Sequence, residues 1–243
     1  MRTPSRASGR RSLHRDQCRS PCWGLRVSWG RTTELYRGLP EVALRSALSR
    51  NRNTFTVEGV RVRLRSPQAT DYLPWATLRD ESRDHLIPWE PTWAPDELSR
   101  ESWRRRLRRY QQAERDGAAH MFFIFSGISN DLVGGLQLSN IRQGIAQSAV
   151  TMGYWIGQRY AGQGLMSDAV TAVLRHGFGR LGFHRIEAAC LPSNTASRRV
   201  LQKCGFTAEG TARKYLRING EWQDHLLFAI IAGDPIPTPK FRD

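Results

Sequence analysis

Apolar and polar residues alternate across Val57–Arg65 (Val60, Val62, Leu64), which predicts a half-buried strand. The period then lengthens. Over Gln68–Leu86 the positions Leu73, Ala76, Leu78 and Leu86 recur at helical spacing, so a helix is expected there with these residues toward a core. Pro88-Trp89-Glu90-Pro91 must follow as a rigid loop, since proline fixes its own φ and restrains the residue before it. Asp96 is placed to cap a helix running to about Asp116, with Trp103, Leu107 and Tyr110 on one side and Arg104, Arg105, Arg106, Arg108 and Arg109 on the other. Three strands come next, His120–Ser126, Leu132–Asn140 and Gln147–Gly157, the first two joined by a turn at Ser129-Asn130-Asp131. The loop Arg159–Gly164 opens a helix over Leu165–Arg180, followed by a strand over Arg185–Leu191. A further helix begins at Ser193-Asn194 and stops before Gly205. Finally Phe206–Ile218 and Glu221–Ile231 flank Asn219-Gly220, a strong short-range hairpin signal.

This order is mixed α/β, without the strict βαβ alternation of a parallel sheet. A strand–GxGxxG–helix unit near the start, as a dinucleotide-binding fold would need, is missing. Apolar residues make up 40% of the 243 and charged residues 24%, a globular composition. The longest apolar run, Leu226–Ala232, is far short of the roughly 20 residues that span a bilayer. No membrane partner and a cytoplasmic location are expected.

Charge changes the picture at one end. Of the net +15, residues 1–53 carry +9, from 12 Arg and no Lys against 3 acidic residues. They show no sustained apolar period, so residues 1–53 are expected to be a disordered basic extension, with a helix favoured only around Glu41–Leu48. An upstream extension without function, an organellar transit peptide and an RNA-gripping arm all fit that composition. The remainder divides into a domain over 54–233 and a tail over 234–243. His14, Cys18 and Cys22 repeat at intervals of four but lack a nearby fourth ligand, so no metal is expected. Cys190 and Cys204 sit in apolar company and are expected to pack in the core.

The block from Gly153 to Met166 holds the chemistry: a strand ends and a glycine-bearing loop feeds a helix. The first amides of a helix are unpaired and, with the helix dipole, make an anion site. Gly162 and Gly164 keep side chains out of its way. Arg159, Gly162 and Gly164 resemble the acetyl-coenzyme-A loop of the GNAT N-acetyltransferases, and Asn194 through Phe206 resembles their second signature. Trp89-Glu90-Pro91, Gly153-Tyr154, His184-Arg185-Ile186 and Gly220 through His225 narrow the likeness to the Rim-type, ribosomal-protein-alanine N-acetyltransferases, over roughly residues 56–231.

The resemblance implies a GNAT fold, a mostly antiparallel mixed sheet splayed into a V between the strands Gln147–Gly157 and Arg185–Leu191, with flanking helices. It implies acetyl-CoA as co-substrate. The pantetheine arm would lie along Trp155, Ile156 and Gly157. Gln158, Arg159, Tyr160, Ala161, Gly162, Gln163 and Gly164 would hold the pyrophosphate, with Asn194 and Ser197 beside the arm. Trp89 and Glu90 would line the approach of an acceptor amine.

Attack on a thioester needs a neutral amine. At pH 7 this costs an α-amine about 1–1.4 kcal/mol and a lysine about 4.6 kcal/mol, so a lysine acceptor needs a general base more urgently. Many relatives carry Glu two residues before the Gly-Tyr pair and Tyr seven after the Asn; here these are Thr151 and Leu201. Candidates left for proton transfer are Glu187, Glu90 and Ser197, or a water in place of Ser197. This inventory favours an α-amine, and the resemblance implies the N-terminus of a ribosomal protein. Acetylation of a small-molecule amine, or a basic ribosome- or RNA-binding factor using the Arg-rich segments, are the alternatives.

Overall fold

The computed structural model describes residues 56–142, 149–239 and 241. The extension expected over 1–53, its Glu41–Leu48 helix and the His14, Cys18 and Cys22 trio lie outside them. Among the described residues, eight strands form one sheet: β1 (Thr56–Glu58), β2 (Val62–Arg65), β3 (His120–Ser126), β4 (Leu132–Ser139), β5 (Ala149–Ile156), β6 (Arg185–Cys190), β7 (Thr207–Ile218) and β8 (Glu221–Ile231). Their order is β1-β2-β3-β4-β5-β6-β8-β7, and only the β5–β6 pair is parallel.

The helices are α1 (Tyr72–Glu81), α2 (Arg83–Leu86), α3 (Arg100–Arg115), α4 (Leu165–Gly179) and α5 (Thr195–Lys203). Strand alternation divides the apolar residues into two cores. Phe122, Ile124, Val150 and Met152 join Ala169, Val170, Val173 and Leu174 of α4 and Leu201 of α5 on one face. Phe123 and Phe125 join Trp75 and Leu78 of α1 and Trp103 of α3 on the other. The two buried thiols, Cys190 and Cys204, belong to the first core. Burial pushes both pKa values up, Cys204 to about 11, so both are neutral packing groups near pH 7.

Three local expectations change. Val57–Arg65 is two strands around a turn rather than one strand, and Val60 is exposed. The cause is distant in sequence: buried Asp168 of α4 accepts the amides of Val60 (3.0 Å) and Arg61 (2.6 Å), which bends the chain. The helical stretch before Pro88 breaks at Ser82, and Leu73 faces solvent while Trp75, Leu78 and Leu86 are buried. Ser99 rather than Asp96 caps α3, its hydroxyl accepting from the Ser102 amide at 3.0 Å, while Asp96 pairs with Arg105.

The other boundaries follow the local signals. At the end of α5, Gly205 N–H donates to Gln202 O and Phe206 N–H to Leu201 O, the reciprocal closure expected where glycine follows a helix. Asn219 and Gly220 turn the β7–β8 hairpin, both with positive φ.

Candidate active site

Strands β5 and β6 stay in register only from Ala149–Arg185 to Met152–Ala188. Beyond that point β5 remains paired with β4 as far as Ile156, and β6 with β8 as far as Cys190. The two therefore part, and a cleft of about 680 Å³ opens there, within the range of small-molecule sites. Tyr154, Trp155 and Ile156 of β5 line it, as do residues 160–167, the α5 residues Ala196, Ser197, Arg199, Val200 and Lys203, and the preceding Asn194. His85, Leu86, Trp89, Glu90 and Arg61 complete it.

The amides of Gly162 through Ser167 have no backbone acceptor among the described residues; the first bond of α4 runs from Asp168 N–H to Gly164 O. Gly164 caps the helix at φ 82°, and the capping position carries no side chain. A Cβ on Gly162 would meet nothing within 4 Å. Six successive amides without a backbone partner among the described residues thus stand in the cleft's lining, at the positive end of a 15-residue helix. Arg61, Arg199 and Lys203 line the same cleft, and none of the three has a carboxylate partner among the described residues. The Asp168 clamp sets the Arg61 backbone, and its guanidinium lies 4.9 Å from the Phe241 ring, in the C-terminal tail. Unpaired donors and cations facing one cavity suit a ligand with several negative charges.

Asn194 caps α5: its Oδ1 accepts the Ser197 amide at 2.9 Å. The Ser197 hydroxyl lies 2.8 Å from the Tyr154 hydroxyl. Desolvation pushes the Tyr154 phenol well above its ordinary pKa, so it keeps its proton near neutrality and can donate. Across the cleft, Glu90 receives both terminal nitrogens of Arg79, at 3.2 and 2.5 Å, and the Trp93 indole N–H at 2.7 Å.

The structure therefore gathers Trp155, Ile156, Tyr160, Ala161, Gly162, Gln163, Gly164, Asn194, Ser197, Trp89 and Glu90 around one cavity. It leaves four of the sequence-selected residues elsewhere. Gly157 is buried at the end of β5, its N–H on Val133 O. Gln158 donates its amide to Ser82 Oγ at 2.9 Å, and Arg159 pairs with Glu81 at 3.2 Å; both line a separate shallow depression. Glu187 sits opposite Thr151 on the paired part of β5–β6, held by Arg142 and Arg185 at 2.8 Å each, outside the cleft. Tyr154, Arg61, Arg199 and Lys203 had no role assigned from sequence. Arg199 and Lys203 were readable as cations four apart on one helix face. Arg61 carried no local signal, because a carboxylate 107 residues away places it.

A family profile described as Acetyltransferase (GNAT) domain matches residues 61–207, which contain the splayed pair, the amide row and α5. The probable N-acetyltransferase YjcK of Bacillus subtilis is 35% identical over 178 residues, 73% of this chain and 98% of that protein. The ribosomal protein uS5-alanine N-acetyltransferase of Escherichia coli is 36% identical over 157 residues, 65% of this chain and 80% of that one. Among solved structures, Mycobacterium smegmatis RimJ in complex with CoA-disulfide superposes with a TM-score of 0.70 at 34% identity, covering 74% of this chain and 88% of that one. The ribosomal-protein-S5-alanine acetyltransferase of Vibrio fischeri gives 0.68 at 32% identity, covering 75% and 100%. The profile runs through the same elements that build the cleft, and the chain belongs to the GNAT acetyltransferase family.

Proposed function

We propose that this enzyme transfers the acetyl group of acetyl-CoA to the α-amine of a protein N-terminus, that of a ribosomal protein. The observation that carries this reading is the cleft between β5 and β6, with a row of free amides and three cations on one side and Trp89 and Glu90 on another. The E. coli and Vibrio relatives, named for acting on ribosomal protein S5, support the acceptor class. The residues present fit a coenzyme A: the amides 162–167 suit a pyrophosphate, and Arg61, Arg199 and Lys203 suit its phosphate charge. The Asn194 side chain and the unpaired flank of Tyr154–Ile156 suit the amide-bearing arm.

Bound acetyl-CoA would supply a thioester, whose carbonyl carbon would form a C–N bond with the neutral amine as its C–S bond breaks, the proton shed by the nitrogen passing to water. The Tyr154 hydroxyl lies against both the Ser197 hydroxyl, at 2.8 Å, and the Ser197 carbonyl, at 3.3 Å. When it donates to Ser197 Oγ, the Ser197 proton is free to pass to the departing sulfur, and the pair regains a proton from solvent. Ser197→Ala keeps the backbone bond to Asn194, so the helix should persist while kcat falls by about 100-fold. Acetyl-CoA affinity, read by calorimetry, should change little. A kcat within twofold of wild type would remove Ser197 from proton transfer. Glu187, outside the cleft and held by two arginines, is in this reading a structural ion-pair residue; Glu187→Gln should leave kcat near wild type.

The test of the function is a CoA-release assay with N-terminal peptides, N-terminally blocked lysine peptides and small amines. The free N-terminus should react fastest, with a rate that rises with pH and levels near 8 as the amine loses its proton. Equal rates for the blocked lysine peptide would overturn the α-amine assignment. Activity on small amines alone would overturn the protein acceptor. The exposed arginines of α3, Arg104, Arg105, Arg108 and Arg109, extend the proposal to a contact with ribosomal RNA.

A further inference from the structure

We propose that Arg79 is a positioning residue for the acceptor amine: it holds the Glu90 carboxylate in one orientation, with one hydrogen-bonding position left for the incoming N–H. The proposal rests on the acceptor role given above to Glu90 and deepens it. Arg79 lies on α1, is 5% exposed and does not line the cleft. Its hydrogen bonds reach the cleft through Glu90, whose side chain is 23% exposed.

The geometry is that of a clamp. Arg79 Nη1 donates to Glu90 Oε1 and Nη2 to Oε2, the two-pronged pairing a planar guanidinium makes with a carboxylate. Trp93 Nε1 adds a second donor to Oε2. The guanidinium lies 4.5 Å from the Trp93 ring and 5.0 Å from that of Trp155, a cleft residue on β5. The Glu90 main chain is held as well, its carbonyl accepting the amide of Asn219 from the β7–β8 turn at 3.4 Å.

A carboxylate offers about four acceptor positions. Three are taken, two on Oε2 and one on Oε1, so the remaining position is on Oε1. An α-amine held there has its rotation restricted, and orienting the attacking atom contributes directly to rate. The arrangement is not what stability alone calls for. Replacing a buried ion pair by packed apolar groups is often neutral or stabilising. Here the fork also leaves Arg79 Nε buried without a partner, a defect that core packing normally avoids. Both features make sense if a fixed carboxylate is what the site requires.

The test is a double-mutant cycle read on the acceptor KM with a free N-terminal peptide. Arg79→Lys keeps a charge and removes the fork, so the acceptor KM should rise about tenfold, with acetyl-CoA affinity unchanged. Trp93→Phe keeps the ring and removes one donor; a rise of about threefold is expected. In a Glu90→Gln background neither substitution should raise KM further, because both act through that carboxylate. Unchanged acceptor KM in Arg79→Lys, or an equal rise with and without Glu90→Gln, overturns the proposal. Should Arg79→Lys fail to fold, Trp93→Phe on its half-buried loop carries the same cycle. If Glu90→Gln alone leaves the acceptor KM unchanged while transfer persists, the acceptor role of Glu90 fails and the proposal falls with it, leaving the acetyltransferase activity standing.

Discussion

Gly164→Glu is expected to abolish acetyl-CoA binding while the domain stays folded. Gly164 caps α4 at φ 82°, a conformation that costs an ordinary residue about 1–2 kcal/mol. The new carboxylate offsets part of that cost, since a negative charge beside a helix N-terminus is favourable. The same interaction is what removes the ligand. The carboxylate takes the free amides of residues 162–167 for itself and repels phosphate at a few ångströms. Calorimetry should show an affinity loss of about 100-fold or more, near 2.7 kcal/mol, with little change in thermal midpoint. Gly164→Ala serves as the control for backbone strain alone and should lose far less affinity. Wild-type affinity in Gly164→Glu would mean that acetyl-CoA binds somewhere other than this loop.

The largest effect on stability is expected from Gly134→Ala. Glycine to alanine in a strand ordinarily stabilises by a few tenths of a kcal/mol to about 1. Here the sign should reverse. A Cβ on Gly134 would lie 2.4 Å from the carbonyl oxygen of Trp155 and 3.2 Å from Cα of Ile156, both backbone atoms of β5. Backbone in a paired strand cannot turn aside as a flexible side-chain end can, so β4 and β5 must move apart. A loss of about 3 kcal/mol is expected, which lowers the thermal midpoint by about 10 °C in a domain this size. Trp155 and Ile156 line the cleft, so acetyl-CoA affinity should fall along with stability. A midpoint equal to or above that of wild type would show that the sheet takes up the extra carbon without strain.

Both predictions depend on glycines that look alike in sequence and differ in what surrounds them. Gly164 could be singled out from sequence because its signal is local: a strand, a glycine-bearing loop and a helix follow one another within a few residues. Gly134 gave no such signal, because the atoms it must clear belong to a strand some 20 residues away whose register only the sheet defines. The Arg79–Glu90 clamp has the same origin. Glu90 could be selected from its loop, but nothing local shows that an arginine 11 positions earlier grips it between two indoles.

Local chemistry in the sequence determined the sheet-rich α/β order, the β7–β8 hairpin at Asn219-Gly220, the stop at Gly205, the glycine-bearing loop ahead of α4 and Asn194 at the head of α5. Each depends on dihedral preference or hydrogen bonds within about four residues, where sequence proximity and spatial proximity coincide. Tertiary structure decided the rest. It split Val57–Arg65 into two strands, because Asp168 captures the turn amides from another element. It tied the Gln158 amide and the Arg159 side chain to Ser82 and Glu81 of a distant segment. It placed Glu187 between Arg142 and Arg185 on the paired part of β5–β6, because the strands part only after its position. It also brought Arg61, Arg199 and Lys203 to one cavity from ends of the domain more than 130 residues apart. A charged side chain takes its role from the partner it meets, and the fold rather than the neighbouring sequence sets that partner.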